Sequence, residues 1–232
     1  MRRFVVIGRT ASASPDFSLV DLAGTSGRLD VLVRCVRAAL LVSNGARRDA
    51  LIYLVLLGGP SAPRVVRIDG SASQWLRPEE RRLATVVQRA LEEQERPRSN
   101  NERERRGPFL VLRNGVSVAN GGLDVVLAEL PEGTPRYVLD AGGEDVRTAS
   151  LAVEEATWFL GDHLGLDAPT REALAGSLAL SLGPTSLLAE DAIAIVHNEL
   201  DRRSAASGGV TGGLASMDPQ EPSVPGGLRD GE

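Results

Sequence analysis

Short apolar runs rich in β-branched residues alternate with helical segments along this chain, and few folds accommodate that alternation. Strands are predicted at residues 4–8, 50–57, 65–68, 109–112, 116–118, 136–140, 156–160 and 178–182. Helices are predicted from a Ser26 N-cap to Ser43, from Pro78 to Gln94, over 123–130, from Pro169 onward and over 188–203. This order predicts an α/β domain with a mostly parallel sheet.

Three predicted strands end in glycine-bearing loops, at residues 140–143, 161–163 and 181–185. Ligands of parallel α/β sheets bind outside the carboxyl ends of strands, so these loops are candidate binding elements. Each loop taken singly favours the interpretation as a plain turn, and the chain contains no G-x-G-x-x-G or Walker-type sequence. Residues 9–27 are predicted to form a long polar loop, and residues 95–107 a mobile, charge-dense insert.

Charge and cysteine content restrict the function classes. The formal net charge is −5 over 232 residues, but residues 1–113 carry +8 and residues 114–232 carry −13. The arginine-rich half is compatible with an anionic partner such as RNA. One cysteine and two histidines argue against a disulfide framework and a metal site. The short apolar runs predict no membrane span and no signal peptide, and therefore a cytoplasmic protein.

Five ordered segments resemble one family. They are Ser-Pro-Asp-Phe-Ser-Leu at 14–19, Gly-Arg-Leu-Asp-Val-Leu at 27–32, Gly-Asp-His-Leu-Gly at 161–165, Ser-Leu-Gly-Pro at 181–184 and His-Asn-Glu-Leu-Asp-Arg-Arg at 197–203. In order and spacing they are similar to the archaeal-type tRNA pseudouridine N1-methyltransferases of the SPOUT (α/β-knot) superfamily. The resemblance covers residues 1–203, which we expect to form the methyltransferase domain, with 204–232 as a disordered tail.

The resemblance implies a SPOUT-type knotted α/β fold with a C-terminal trefoil knot, which connection rules alone would not predict. It also implies a homodimer that uses S-adenosyl-L-methionine and no metal to methylate N1 of pseudouridine 54 in the tRNA T-loop. Two alternatives stay open: an rRNA pseudouridine N1-methyltransferase of the related knotted type, and an RNA-binding member of the fold without catalysis.

Carried over residue by residue, the resemblance places the cofactor on Leu139, Gly161, Leu182, Gly183, Pro184, Thr185, Ser186, Leu187 and Ala192. Many relatives have a cysteine near position 192, so the alanine tests whether the site needs a thiol or only a small side chain. For Leu139 and Leu182, ordinary core packing is an equally good interpretation.

Arg28 and Asp30 are the candidate catalytic residues. N1 of pseudouridine must lose a proton during methylation, so Asp30 is a candidate proton acceptor or uracil-edge anchor, and Arg28 a ligand for phosphate or a base carbonyl. The alternative for Asp30 is a carboxylate that complements the helix dipole. The candidate RNA-binding residues are Arg9, Phe17, Arg34 and Arg37.

Overall fold

A computed structural model describes residues 1–43, 45–73, 75–96 and 105–208. Its strands are β1 (Arg2–Ser12), β2 (Leu41–Val42), β3 (Gly45–Ala46), β4 (Ala50–Gly58), β5 (Arg64–Asp69), β6 (Arg105–Arg106), β7 (Phe109–Val111), β8 (Val116–Asn120), β9 (Arg136–Asp145), β10 (Ala156–Gly161) and β11 (Leu178–Ser181). Its α-helices are α1 (Leu22–Thr25), α2 (Leu29–Leu40), α3 (Glu80–Glu95), α4 (Leu123–Glu129), α5 (Ala168–Ala173) and α6 (Ala189–Ala206).

Nine of these strands form one sheet in the order β11-β9-β10-β1-β4-β5-β8-β7-β6. The pairs from β11 to β4 are parallel, with Phe4 of β1 between Trp158 of β10 and Ile52 of β4. The pairs from β4 to β6 are antiparallel. The predicted α/β class with a mostly parallel central sheet is therefore confirmed, and an antiparallel extension is added. The short link from Gly58 to Arg64 forces one reversal, because a parallel crossover needs a dozen or more residues.

Alternate side chains of β1 enter two different cores, as expected for a strand covered on both faces. Phe4 and Val6 pack with the apolar stripes of α2, α3 and α6 on one face. Val5 and Ile7 pack on the other face with Val126 of α4 and Leu174 beside α5. The sheet is thus the middle of three layers, and α2 and α6 lie together over its parallel half.

Several boundaries differ from the sequence predictions. The segment predicted as a loop at 9–27 includes the end of β1 and the short helix α1. Helix α2 begins at Leu29 with Arg28 at its N-cap, so the prediction of a Ser26 N-cap is wrong, although Ser26 Oγ accepts the Leu29 N–H at 3.1 Å. Helix α2 ends at Leu40, before a small β2–β3 hairpin, and α3 begins two residues after Pro78. Helix α6 extends to Ala206.

Parts of two predicted segments fall outside the residues that the structure describes. Residues 97–104 of the charged insert and residues 209–232 of the predicted tail lie outside the described residues. The trefoil knot stays a prediction. In the described part of the chain, none of the helices has both the length and the apolar character needed to cross a bilayer.

Candidate active site

A cavity of about 490 Å³ lies where residues 139–141 in the middle of β9 and the carboxyl ends of β10 and β11 meet the starts of α2 and α6. The prediction of a loop at 140–143 is wrong, because these residues belong to β9. This volume falls within the range of about 300–1,000 Å³ that is usual for small-molecule sites. Strand ends, the 182–188 loop and both helices line it: Leu139, Asp140, Ala141, Leu160, Gly161, Asp162, His163, Gly165, Leu180, Leu182, Gly183, Thr185, Ser186, Leu187, Leu188, Ala189, Glu190, Ala192, Arg28, Val31 and Arg34. The position is the one that parallel α/β sheets favour for ligands.

The loop from Gly161 to Gly165 forms one wall of the cavity and turns back on itself. A Cβ on Gly161 would lie 2.4 Å from the Gly165 carbonyl carbon, so a side chain there would force the backbone apart. Asp162 fixes the turn, because its carboxylate accepts the Leu164 N–H at 2.8 Å and the Arg9 N–H at 2.9 Å. This carboxylate therefore has a structural partner on each oxygen.

The opposite wall is the loop between β11 and α6. Ser181 Oγ accepts the Gly183 N–H at 3.2 Å, which bends the chain directly after the strand. No side chain of the described residues caps the start of α6, whose N-cap is Leu188. Helix N-termini of this kind present free N–H groups to a ligand.

Arg28 reaches the cavity through an unusual backbone. Gly27 and Arg28 both have left-handed dihedrals, with φ of 61° and 69°. A Cβ on Gly27 would lie 1.8 Å from the Thr10 carbonyl oxygen, so only glycine fits there. Because Arg28 has a Cβ atom, its left-handed conformation is unfavourable and has to be stabilised by the surrounding contacts.

An ion-pair network joins the first turns of α2, α3 and α6. Asp30 accepts from Arg28 Nε at 2.9 Å and from Arg34 Nη1 at 3.0 Å. Arg34 Nε also donates to Glu190 Oε1 at 2.7 Å, and its Nη1 lies 3.4 Å from Glu80 Oε2. The Arg34 guanidinium therefore contacts three carboxylates.

Asp30 is held in its ionised form by this network. Burial by itself would raise the pKa of Asp30, but hydrogen bonds from Arg28 and Arg34 outweigh it and lower the pKa below its ordinary value. A carboxylate with a lowered pKa and with both oxygens bound to arginine is a poor proton acceptor. Its contacts favour a role in orienting Arg28.

The structure brings most of the predicted cofactor-site residues together. Leu139, Gly161, Leu182, Gly183, Thr185, Ser186, Leu187 and Ala192 all line the cavity, while Pro184 lies in the same loop and is exposed. Arg28 lines the cavity as well, and Asp30 contacts it through Arg28. These placements leave the roles of the residues as predictions.

The predicted RNA-binding residues are placed less uniformly. The Phe17 side chain packs in the main core and is 4% exposed, so it cannot stack on a base as it stands. Arg34 is bound by the three carboxylates. Arg9 is half-buried, and its Nη1 donates to the Leu164 carbonyl at 3.2 Å. Arg37 is exposed on α2.

The segment at 197–203 serves the scaffold. His197 is buried, with Nε2 3.0 Å from the Ala39 carbonyl oxygen and Nδ1 3.3 Å from Arg2 Nη1. Asp201 pairs with Arg2 and Arg47. Arg203 donates to the Val146, Arg147 and Ala149 carbonyls at 2.7–2.9 Å. These contacts bind α6 to β1, to α2 and to the segment after β9.

Glu190 is the site residue that sequence reasoning missed. As an acid in the first turn of a helix, it looks like an ordinary complement to the helix dipole. Its partner Arg34 is 156 positions away, so no local pattern in the sequence links the two residues.

Solved structures identify the fold. Nep1 of Archaeoglobus fulgidus, crystallised with S-adenosylhomocysteine, matches with a TM-score of 0.56 and 16% identity over 88% of this chain and 99% of that chain. The chain therefore shares the fold of this protein, which is a SPOUT fold.

Sequence relatives give the family. A sequence model of a protein family, described as "Putative SAM-dependent RNA methyltransferase", matches residues 1–205. A tRNA (pseudouridine(54)-N(1))-methyltransferase of Methanosarcina acetivorans is 39% identical over 92% of this chain and 97% of the relative. Proteins of the same name from Methanocaldococcus jannaschii and Halobacterium salinarum are 34% and 37% identical over 88% and 87% of this chain, and over 98% and 96% of their own lengths. The chain belongs to this family of S-adenosylmethionine-dependent RNA methyltransferases.

The cavity fits that cofactor. Glycine at Gly161, a small side chain at Ala192 and the uncapped start of α6 leave backbone groups accessible to a nucleoside and an amino-acid carboxylate. Glu190 is 7% exposed, and its Oε2 atom has no hydrogen-bond partner among the described residues. A buried oxygen of this kind suits a ligand that carries N–H groups.

Proposed function

We propose that this protein methylates N1 of pseudouridine 54 in the T-loop of tRNA. The observation that carries the proposal is the 39% identity over nearly the whole length of a relative named for that activity. The cavity beside β9, β10 and β11 supports it, because it joins a cofactor-sized pocket to the arginine-bearing start of α2. The sequence similarity and the geometry of the cavity therefore support the same activity.

In this proposal the cofactor lies against Leu139, Gly161, the 182–187 loop and Ala192. S-adenosyl-L-methionine, when bound, supplies an electrophilic methyl group on a positively charged sulfur. The loop backbone provides hydrogen-bonding groups, and Leu139 and Leu182 provide apolar surface. Ala192 keeps the site open, so we expect a small side chain, and not a thiol, to be sufficient there.

Arg28 is the residue that we assign to the RNA. Its side chain lines the cavity, is 44% exposed and is held by Asp30, which leaves it able to bind a phosphate or a base carbonyl. Asp30 fixes the direction of Arg28 and acts as an anchor, in preference to the alternative role of proton acceptor. Arg9 and Arg37 extend this basic surface, whereas Phe17 is left out of it because its ring is buried.

We also propose a homodimer. Leu188, the N-cap of α6, and Ile195 on the helix lie seven residues apart and are 63% and 38% exposed, and Leu187 beside Leu188 is exposed as well. Residues seven apart share a helix face, so a second copy could cover this apolar strip next to the cavity. A cytoplasmic location accords with this function and stays a prediction.

Nucleoside mass spectrometry tests the activity directly. The purified protein is incubated with S-adenosyl-L-methionine and tRNA transcripts that carry either pseudouridine or uridine at position 54. We expect 1-methylpseudouridine only from the first transcript. Equal methylation of both transcripts would refute the substrate. Methylation of a pseudouridine-containing rRNA fragment but not of tRNA would favour the rRNA alternative, and RNA binding without methylation would favour the non-catalytic one.

A further inference from the structure

Glu190 lines the cavity and carries a negative charge that its protein partners do not fully balance. Its Oε1 accepts from Arg34 Nε at 2.7 Å. Its Oε2 is buried and has no hydrogen-bond partner in the described part of the chain. Leaving a buried carboxylate oxygen unpaired is costly, so this oxygen requires a partner that the described residues do not supply, such as a water, an ion or a ligand.

The network around Glu190 carries excess negative charge. Arg28 and Arg34 supply two positive charges, while Asp30, Glu80 and Glu190 supply three negative ones. Asp30 uses both of its oxygens on the arginines. The uncompensated charge therefore falls on the carboxylates that share Arg34, and of these Glu190 is the one that lines the cavity.

The first turn of α6 offers two complementary groups to a zwitterion. Its uncapped N–H groups suit a carboxylate, and Glu190 in the same turn suits an ammonium group. In the amino-acid part of S-adenosylmethionine, the carboxylate and the ammonium group are attached to the same carbon. This pairing is what a free α-amino acid end requires.

We propose that Glu190 binds the α-ammonium group of the cofactor's amino-acid part. The assignment rests on the proposed function, since it takes the cofactor of that reaction as the ligand. In this role Glu190 fixes the orientation of the amino-acid end and is a specificity-determining residue. Arg34 holds Glu190 in place through the bond to Oε1.

Calorimetry with three ligands tests the assignment. S-adenosylhomocysteine keeps the ammonium group without the sulfonium charge, and 5′-methylthioadenosine lacks the whole amino-acid part. We expect Glu190→Gln to weaken S-adenosylhomocysteine and S-adenosylmethionine by about tenfold or more, because a charge-assisted hydrogen bond is lost. Binding of 5′-methylthioadenosine should stay unchanged.

A matched control separates cofactor contact from network damage. Glu80→Gln also removes a carboxylate from Arg34, but Glu80 is exposed and does not line the cavity. It should leave the binding of all three ligands unchanged. Equal weakening of all three ligands by Glu190→Gln would show a collapsed site and would overturn the assignment.

Two further outcomes would also overturn it. Weakening of S-adenosylmethionine alone would place Glu190 against the sulfonium, and unchanged binding of every ligand would remove it from the site. The methylation assay of the unaltered protein distinguishes failure of this inference from failure of the proposed function. If that protein forms 1-methylpseudouridine while Glu190→Gln binds normally, this inference fails and the proposed function stands.

Discussion

Stability should fall as the pH drops from 6.5 towards 4, because the fold holds His197 in its neutral form. The imidazole is 3% exposed and packs against the Phe4 ring at a centroid distance of 4.8 Å. Its partners assign the neutral tautomer, in which Nε2–H donates to the Ala39 carbonyl and Nδ1 accepts from Arg2. A proton on Nδ1 would face the Arg2 guanidinium.

The magnitude follows from the pKa. Burial is the largest cause, and the charges of Arg47 and Arg2 add to it, so the pKa of His197 falls from 6.5 to about 4, although Asp201 and the Ala39 carbonyl oppose the change. A pKa that is lower in the folded state means that the unfolded chain binds more protons between these values. The stabilisation is complete above about pH 6.5 and is lost progressively towards pH 4. The difference corresponds to about 3 kcal/mol of unfolding free energy.

Urea unfolding between pH 7 and pH 4.5 measures the effect. The unaltered protein should lose on the order of 2 kcal/mol across this range through His197, which is most of the total expected from linkage. His197→Gln keeps a donor for the Ala39 carbonyl but removes the titration, so its curve should be flatter by that amount. Other titrating groups cancel in the comparison. Parallel loss of stability by the two proteins would refute the reasoning.

Three further substitutions test the site. Asp30→Asn should lower turnover and reduce the free energy of unfolding in urea by about 1–2 kcal/mol, because Arg28 and Arg34 lose the carboxylate that they share. Unchanged turnover would remove Asp30 from the mechanism. Because the pKa of Asp30 is lowered, its stabilisation should be present above about pH 4 and lost below it. Gly161→Ala should abolish cofactor binding in calorimetry, whereas Gly142→Ala, whose Cβ would meet only Asp140 Oδ1 at 3.5 Å, should bind normally. Ala192→Cys should leave turnover unchanged, and a several-fold rise would show that the thiol matters.

Elements of the fold followed the sequence closely where local patterns define them. The apolar runs at 50–57 and 156–160 became β4 and β10 with errors of one residue. Strand direction did not follow, because it depends on the connection: the turn between β4 and β5 is too short for a crossover. The end of β1 at Ser12 was also missed, since residues 9–12 lack an apolar strand pattern, and of these residues only Ser12 pairs with β4, after a register shift that follows Gly8.

Site residues divide in the same way. Gly161 and the 182–187 loop were found because strand-end glycines and a family resemblance mark them. Phe17 was wrongly expected at the surface, because a polar neighbourhood in sequence hides the core contact that buries it. Glu190 could not be found from the sequence, because its significance comes from Arg34 on a helix far along the chain. Long-range ion pairs leave no periodic signal in either segment.

The two most distinctive segments support the site without supplying its chemistry. In 161–165 the glycines and Asp162 shape a turn, and in 197–203 His197, Asp201 and Arg203 bind α6 to the sheet. The charged groups that we assign to the ligands, Arg28 and Glu190, lie instead at the starts of α2 and α6. Scaffold substitutions should therefore lower stability and cofactor affinity together, whereas substitutions at Arg28 or Glu190 should change one ligand's affinity at nearly constant stability. Arg34 connects the two positions, since it contacts Glu190 directly and also contacts Asp30, which binds Arg28.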